Sequence, residues 1–342
     1  MTTTEDNVPA EEYVSAEEYA RVRDAYWRVV RESEGFDLED VSIPSYMCGT
    51  PICVMRTFEG HDGRYPYRDL VKGYCMVGLQ RYNMKQGTNY KMSSLIKFNM
   101  TTGTAVCSYY LTLHAHDPDV SPSDKTFQVR IDEKSFGRLD FTCSVARLKE
   151  EAKGEGDSAK EPFIPHYHGG PEASVPFVGE LPLWPSAADL NDERRFYMVN
   201  RSDWEATDWI FTYLVLVIYS HDKLIETRDR YYQSSLQIVN VVIETSADDS
   251  EPSKERLNAK SAHVYITFKG LAEPQAPRQS FKVGKHVERK AIVRRVICES
   301  TGEMSLLGKL CGGKFTGKQR SVTRGSGEEA QSSKKARTRG RS

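Results

Sequence analysis

The stretch from Leu70 to Ala115, LVKGYCMVGLQRYNMKQGTNYKMSSLIKFNMTTGTAVCSYYLTLHA, decides the fold. Its first third places Leu70, Val71, Tyr74, Cys75, Gly78, Leu79 and Tyr82 at helical spacing, with Gly87 just beyond them. That pattern predicts one buried face of an amphipathic helix closed by a glycine cap. The period then shortens. Tyr90, Met92, Leu95, Ile96 and Phe98 predict a strand and Thr101 to Gly103 a turn. Ala105 to Ala115 then predicts a second strand with Cys107, Tyr109, Leu111, Leu113 and Ala115 on one face. A third strand, Lys125 to Asp132, alternates at Phe127, Val129 and Ile131. A long helix lying across an antiparallel meander is the minimal way for these two apolar surfaces to bury each other.

Working outward towards the N-terminus, residues 1–12 are polar and acidic and predict disorder. Residues 13–35 predict an amphipathic helix: Ser15 and Glu18 form a capping box, Tyr19, Val22, Tyr26, Val29 and Val30 share a face, and Gly35 stops it. The face Tyr19, Val22, Tyr26, Val29 also satisfies a short coiled-coil seam of about two heptads, fit for a partner helix or a second copy of the chain. Three or four heptads are the usual requirement, so packing on its own domain is the favoured reading. Residues 36–148 then form the first globular unit, with Ile52 to Phe58 as a further strand.

Residues 149–192 read as a linker followed by a proline- and glycine-rich loop, because Lys149 to Pro162 holds no apolar side chain larger than alanine. Residues 193–307 form a second β-rich unit. Its candidate strands are Arg195 to Val199, Trp209 to Tyr219, Leu236 to Thr245, His263 to Lys269 and Ala291 to Cys298. Trp209 to Tyr219 is ambiguous, since a continuous apolar run suits a buried helix equally well. No sequence repeat relates the two units convincingly.

Composition limits the function classes. The 342 residues are 39% hydrophobic and 28% charged, enough for a buried core. The net charge of -1 hides an asymmetry: residues 308–342 hold ten Lys or Arg against two Glu, which is +8, leaving -9 on the rest. Seven scattered cysteines, at positions 48, 53, 75, 107, 143, 298 and 311, fit a reducing compartment better than a disulfide scaffold. No basic-then-apolar leader opens the chain, and the most apolar run, Ile210 to Tyr219, is about half the length a membrane span needs.

Catalytic and cofactor patterns are thin. His114 with His116, and His166 with His168, repeat a two-residue spacing, but no Cys or carboxylate stands at a matching ligand spacing. There is no nucleophile elbow, phosphate loop or dinucleotide fingerprint, so the expectation is no enzyme, no metal and no cofactor. The tail, 308–342, predicts a disordered basic segment. Its cluster of Lys334, Lys335, Arg337, Arg339 and Arg341 suits the acidic grooves of nuclear import receptors. The same cations allow weak, salt-sensitive, sequence-independent contact with nucleic acid, and no recognition helix or zinc finger accompanies them.

Two resemblances sharpen this reading. Arg81, Tyr82 and Asn83 near the helix end, followed by Tyr109, Tyr110, Leu111, Thr112 and Leu113 on a strand, resemble the cystatin fold. More widely, residues from about 35 to 310 resemble a crucifer family of largely uncharacterised cystatin-like proteins that includes the Male Sterility Five protein. The matching stretches include RYNMKQGTNYKMSSLIKFN, SYYLTLHAHDP, FIPHYHGG, ELPLWP, DWIFTYLVL, ERLNAKSAHVYITFKG and ERKAIVRRV. The resemblance implies an α+β class, a cystatin-like helix on an antiparallel sheet followed by the second β-rich unit, to which composition adds a disordered acidic N-terminus and a disordered basic C-terminal tail. The basic tail and the missing catalytic motifs predict a non-enzymatic nuclear factor that binds other proteins, and the resemblance implies that it acts in early male meiosis and homologous chromosome pairing. The alternative, inhibition of papain-like proteases, needs a Gln-x-Val-x-Gly hairpin. Thr102, Gly103, Thr104, Ala105 and Val106 stand in its place, and Glu133 to Leu139 supplies no Pro-Trp loop.

Overall fold

The computed structural model describes residues 15–39, 55–61, 65–102, 104–153, 179–221, 233–246, 255–272 and 282–311. Helix α1 (Ala16–Glu32) precedes strand β1 (Met55–Glu59) and helix α2 (Arg68–Gln86). Strands β2 (Lys91–Thr101), β3 (Ser108–Asp117), β4 (Ser121–Glu133) and β5 (Leu139–Leu148) follow. Beyond the loop come β6 (Phe196–Met198), the short α3 (Arg201–Glu205), α4 (Asp208–His221), β7 (Gln237–Glu244), β8 (Ser261–Ala272), β9 (Lys282–Ile297) and β10 (Met304–Cys311). The class is α+β with one large antiparallel sheet.

All ten strands join in the order β1-β2-β3-β4-β5-β10-β9-β8-β7-β6. Each half reads strand, helix, then four more strands, and the two halves meet where β5 pairs antiparallel with β10, from Met304 opposite Cys143 to Gly308 opposite Leu139. The chain is therefore a structural repeat about that seam, although its sequence carries no readable repeat. The second β-rich segment extends the first sheet. The pairing also moves the expected tail boundary at 308, because Gly308 to Cys311 continue β10 opposite Val293 to Lys290.

α2 forms as its spacing dictates. Leu70, Val71, Tyr74, Cys75, Leu79 and Tyr82 are buried, and Gly87, at φ 69°, caps the end by donating to Asn83 O. The helix crosses the sheet closely because Gly78 presents no side chain: a Cβ there would stand 2.3 Å from Val129 Cγ2. Gly73 does the same towards Leu216 of α4.

Trp209 to Tyr219, counted among the candidate strands, is helical. α4 is buried from Thr212 to Ser220, wedged between α2 and strands β5, β9 and β10. A helix enclosed on every side shows no amphipathic period, so only its neighbours distinguish it from a buried strand.

The sheet's second face is covered differently in each half. α1 and the following turn bury Tyr26, Val30, Phe36 and Leu38 against Met55 and Tyr110, at about 1.5–3 kcal/mol per large apolar side chain. Val145 reaches that face because an extra residue in β5, between the pairs Arg130–Val145 and Ile131–Cys143, flips the alternation. In the second half, Leu181, Trp184 and Leu190 from the proline-rich loop pack on Phe196, Val242, Tyr265 and Ile292. Trp184 meets Tyr265 edge to face at 5.4 Å and lies under Lys290 at 4.6 Å.

Candidate functional site

The α1 face that also satisfied a short coiled-coil seam is turned inward, in the favoured packing on its own domain. Tyr26 is buried, and Tyr19, Val22 and Val29 are half-buried against the same apolar cluster. The cap is present, with Glu18 N donating to Ser15 Oγ at 3.1 Å. Lys334, Lys335, Arg337, Arg339 and Arg341 lie outside the described residues, as do His166, His168, Cys48, Cys53 and the turn residue Gly103. His114 and His116 share a face of β3; His116 Nδ1 bonds Ser93 Oγ at 2.9 Å and approaches Asp124 at 3.8 Å. Among the described residues, no three His, Cys, Asp or Glu side chains converge as a metal site.

Buried charges tie strands together. Asp132, fully buried, accepts from Arg130 Nε at 3.0 Å, Ser108 Oγ at 2.6 Å and Ser144 Oγ at 2.7 Å. Glu133 accepts from Tyr74 OH at 2.8 Å and Cys107 N at 3.0 Å. On the second half, Glu244 accepts from Tyr265 OH at 2.6 Å and Arg195 Nε at 3.1 Å, with His263 Nδ1 3.1 Å away. Burial works against the Glu244 anion, yet the bonds from His263, Tyr265 and Arg195 hold its pKa down to about 2. Burial, then Glu133, pushes the Tyr74 phenol well up. Such shifts lock groups in one protonation state near neutrality, unlike a poised acid or base. Cys298, in the β9–β10 turn, is the contrast: hydrogen bonds from Ser300 and Thr301 bring its thiol down to about 7.

A groove of about 650 Å³ opens between the C-terminal half of α2, the start of β2 and the first turn of α4. Its walls combine Met76, Met84 and Trp209 with Gln80, Asn83 and Asp208. Asn83 shapes one end. Its Nδ2 donates to Tyr90 O at 3.0 Å while its Oδ1 accepts from Tyr90 N and Thr88 Oγ1, both at 2.9 Å, clasping helix to strand. Asp208 pairs with Lys91 at 3.0 Å across the mouth. Tyr213 OH donates to Gln80 Oε1 at 2.8 Å, and Arg295 lies beneath Trp209, its Cζ 4.8 Å from the ring. The sequence marks Asn83 through its Arg-Tyr-Asn motif and gives no hint of Gln80 or Asp208 as lining residues. For Arg295 one signal was present: Arg294 and Arg295 are adjacent within the apolar run Ala291 to Cys298, so alternation must send one of them into the core.

Fold and groove together define an α+β protein of two like halves on one antiparallel sheet, with an open cleft beside its paired helices. The family model described as Protein MS5 matches residues 181–306, the covering loop and nearly all of the second half. Two UPF0725 proteins of Arabidopsis thaliana are each 45% identical to the chain. One match spans 98% of the chain and 99% of the relative, the other 97% and 98%. The crystal structure of MS5 from Brassica napus aligns with a TM-score of 0.52 at 30% identity, covering 71% of this chain and 98% of that one. The chain belongs to the MS5/UPF0725 family.

Proposed function

We propose that the protein is a non-enzymatic interaction factor of the nucleus that acts in early male meiosis and pollen fertility, each half of its sheet a cystatin-like unit. Family membership carries the reading. Identity of 45% runs over nearly the whole chain, and both the matched family model and the aligned crystal structure bear the MS5 name. The meiotic role is what the Male Sterility Five resemblance implies. The strand, helix and four-strand order in each half supports the cystatin-like assignment. The buried ionisable groups favour a binding protein, because Asp132, Glu133 and Glu244 are consumed in strand-to-strand bonding. Nuclear entry is assigned to Lys334, Lys335, Arg337, Arg339 and Arg341, with any nucleic-acid contact weak and confined to phosphates.

The test is a fluorescent fusion in the anthers of a crucifer lacking the endogenous protein. The full chain should concentrate in meiotic nuclei and restore pollen. A chain lacking Ser332 to Ser342 should leak into the cytoplasm and fail to restore it. A truncated chain that stays nuclear and fertile refutes the assignment of the basic cluster.

A further inference from the structure

Arg295 is completely buried, and a guanidinium stays charged throughout the range in which proteins fold. Its Nε and one terminal nitrogen donate to the carbonyls of Leu257 and Ala259 at 2.7–3.1 Å. The other terminal nitrogen has the Tyr213 hydroxyl as its polar neighbour, and no carboxylate among the described residues pairs with the group. A buried charge without a counter-ion is expensive, and proteins that retain one commonly use it.

Two routes carry that charge to the groove. Trp209, stacked on the guanidinium, is part of the groove wall. Tyr213 stands in the field of Arg295 and donates to Gln80, which lines the groove. With Gln80 Oε1 taken by that bond, Nε2 is the atom left to donate to a bound molecule. Among the charged side chains lining the groove, Asp208 is already paired with Lys91, so Lys72 adds a positive charge that no lining carboxylate answers. The remaining walls, Met76, Met84 and Trp209, are apolar and polarisable. The volume, about 650 Å³, falls inside the range of small-molecule clefts, roughly 300–1,000 Å³.

We infer that this groove binds a small organic anion, a carboxylate carried on a flat apolar body. Gln80 Nε2 donates to the carboxylate, Trp209, Met76 and Met84 hold the body, and buried Arg295 supplies the positive potential that selects an anion over its neutral analogue. The site is independent of the interaction role proposed above.

The probes are phenylacetate, its neutral isostere phenylacetamide, and acetate, titrated at millimolar concentration into the full-length protein. The indole N–H signals of ¹⁵N-labelled tryptophan are followed, with Trp209 assigned from Trp209→Phe. Phenylacetate should shift the Trp209 signal and bind about tenfold more tightly than the amide, the scale of one charge-assisted hydrogen bond. Acetate, lacking the apolar body, should bind more weakly than phenylacetate. Gln80→Glu should weaken phenylacetate about tenfold and leave the amide nearly unchanged. Equal affinity for acid and amide, or shifts that bypass Trp209, or no binding at all, overturns the inference. The acid and amide comparison uses the unaltered chain, so it remains decisive even if Gln80→Glu loosens α2.

Discussion

Arg81, Tyr82 and Asn83 show how three consecutive side chains serve three structural ends. Arg81 Nε reaches the carbonyl of Gly302 in the β9–β10 turn at 2.6 Å, Tyr82 packs edge to face on Phe127, and Asn83 clasps the helix to β2. The motif was legible in sequence; the partner of Arg81, 221 residues away, was not. Glu244 makes the sharpest test at this scale. Its folded pKa is depressed to about 2, so its stabilisation is complete above the unfolded carboxylate value of about 4.3 and is lost as pH falls towards 2. Glu244→Gln should cost about 2 kcal/mol at pH 7, since Arg195 loses its buried counter-charge. Urea unfolding at descending pH should show the gap between the two proteins closing below about pH 4. A gap that stays constant over that interval refutes the network's role.

Among the elements, α2 was readable because a stripe through Lys72, Met76, Gln80 and Asn83 stays less buried than the rest of the helix, which leaves a helical period in the sequence, and because Gly87 marks its end. α4 was not, because α2 on one side and the sheet on the other remove the contrast that periodicity needs. The fit of α2 on the sheet depends on Gly78. Alanine is the better helix former by about 1 kcal/mol, yet its Cβ would meet Val129, itself fixed in β4, at 2.3 Å. Gly78→Ala should therefore destabilise the fold by about 1–3 kcal/mol, measured by chemical unfolding. Paired with Val129→Ala, it should cost less than the two single changes added, because the smaller neighbour relieves the overlap. A stabilised Gly78→Ala would mean that α2 stands off the sheet.

At the scale of the molecule, the seam between β5 and β10 makes ten strands one sheet. Composition placed the onset of the tail at 308, since glycine and lysine dominate from there, but pairing with β9 holds the chain in the sheet to Cys311. A chain ending at Gly312 should keep the thermal midpoint of the full protein. One ending at Leu307 strips the last four residues of β10 and should melt several degrees lower, in a single calorimetric transition because both halves share the seam. Equal midpoints would show that the end of β10 contributes nothing to the sheet.

The sequence by itself determined the elements whose signal is local. The helix 70–82 with its glycine stop, the Ser15 cap, the alternating strands of the first half and the charge split between body and tail all follow from spacing and composition. Family membership was legible too, in many short stretches kept in one order. Tertiary structure alone decided that Trp209 to Tyr219 is a helix, that the halves repeat each other, that the loop around Trp184 covers the sheet, and that Arg295 lies uncompensated behind a groove. Each depends on contacts between residues far apart in the chain, where burial erases periodicity and pairing partners cannot be read from neighbours.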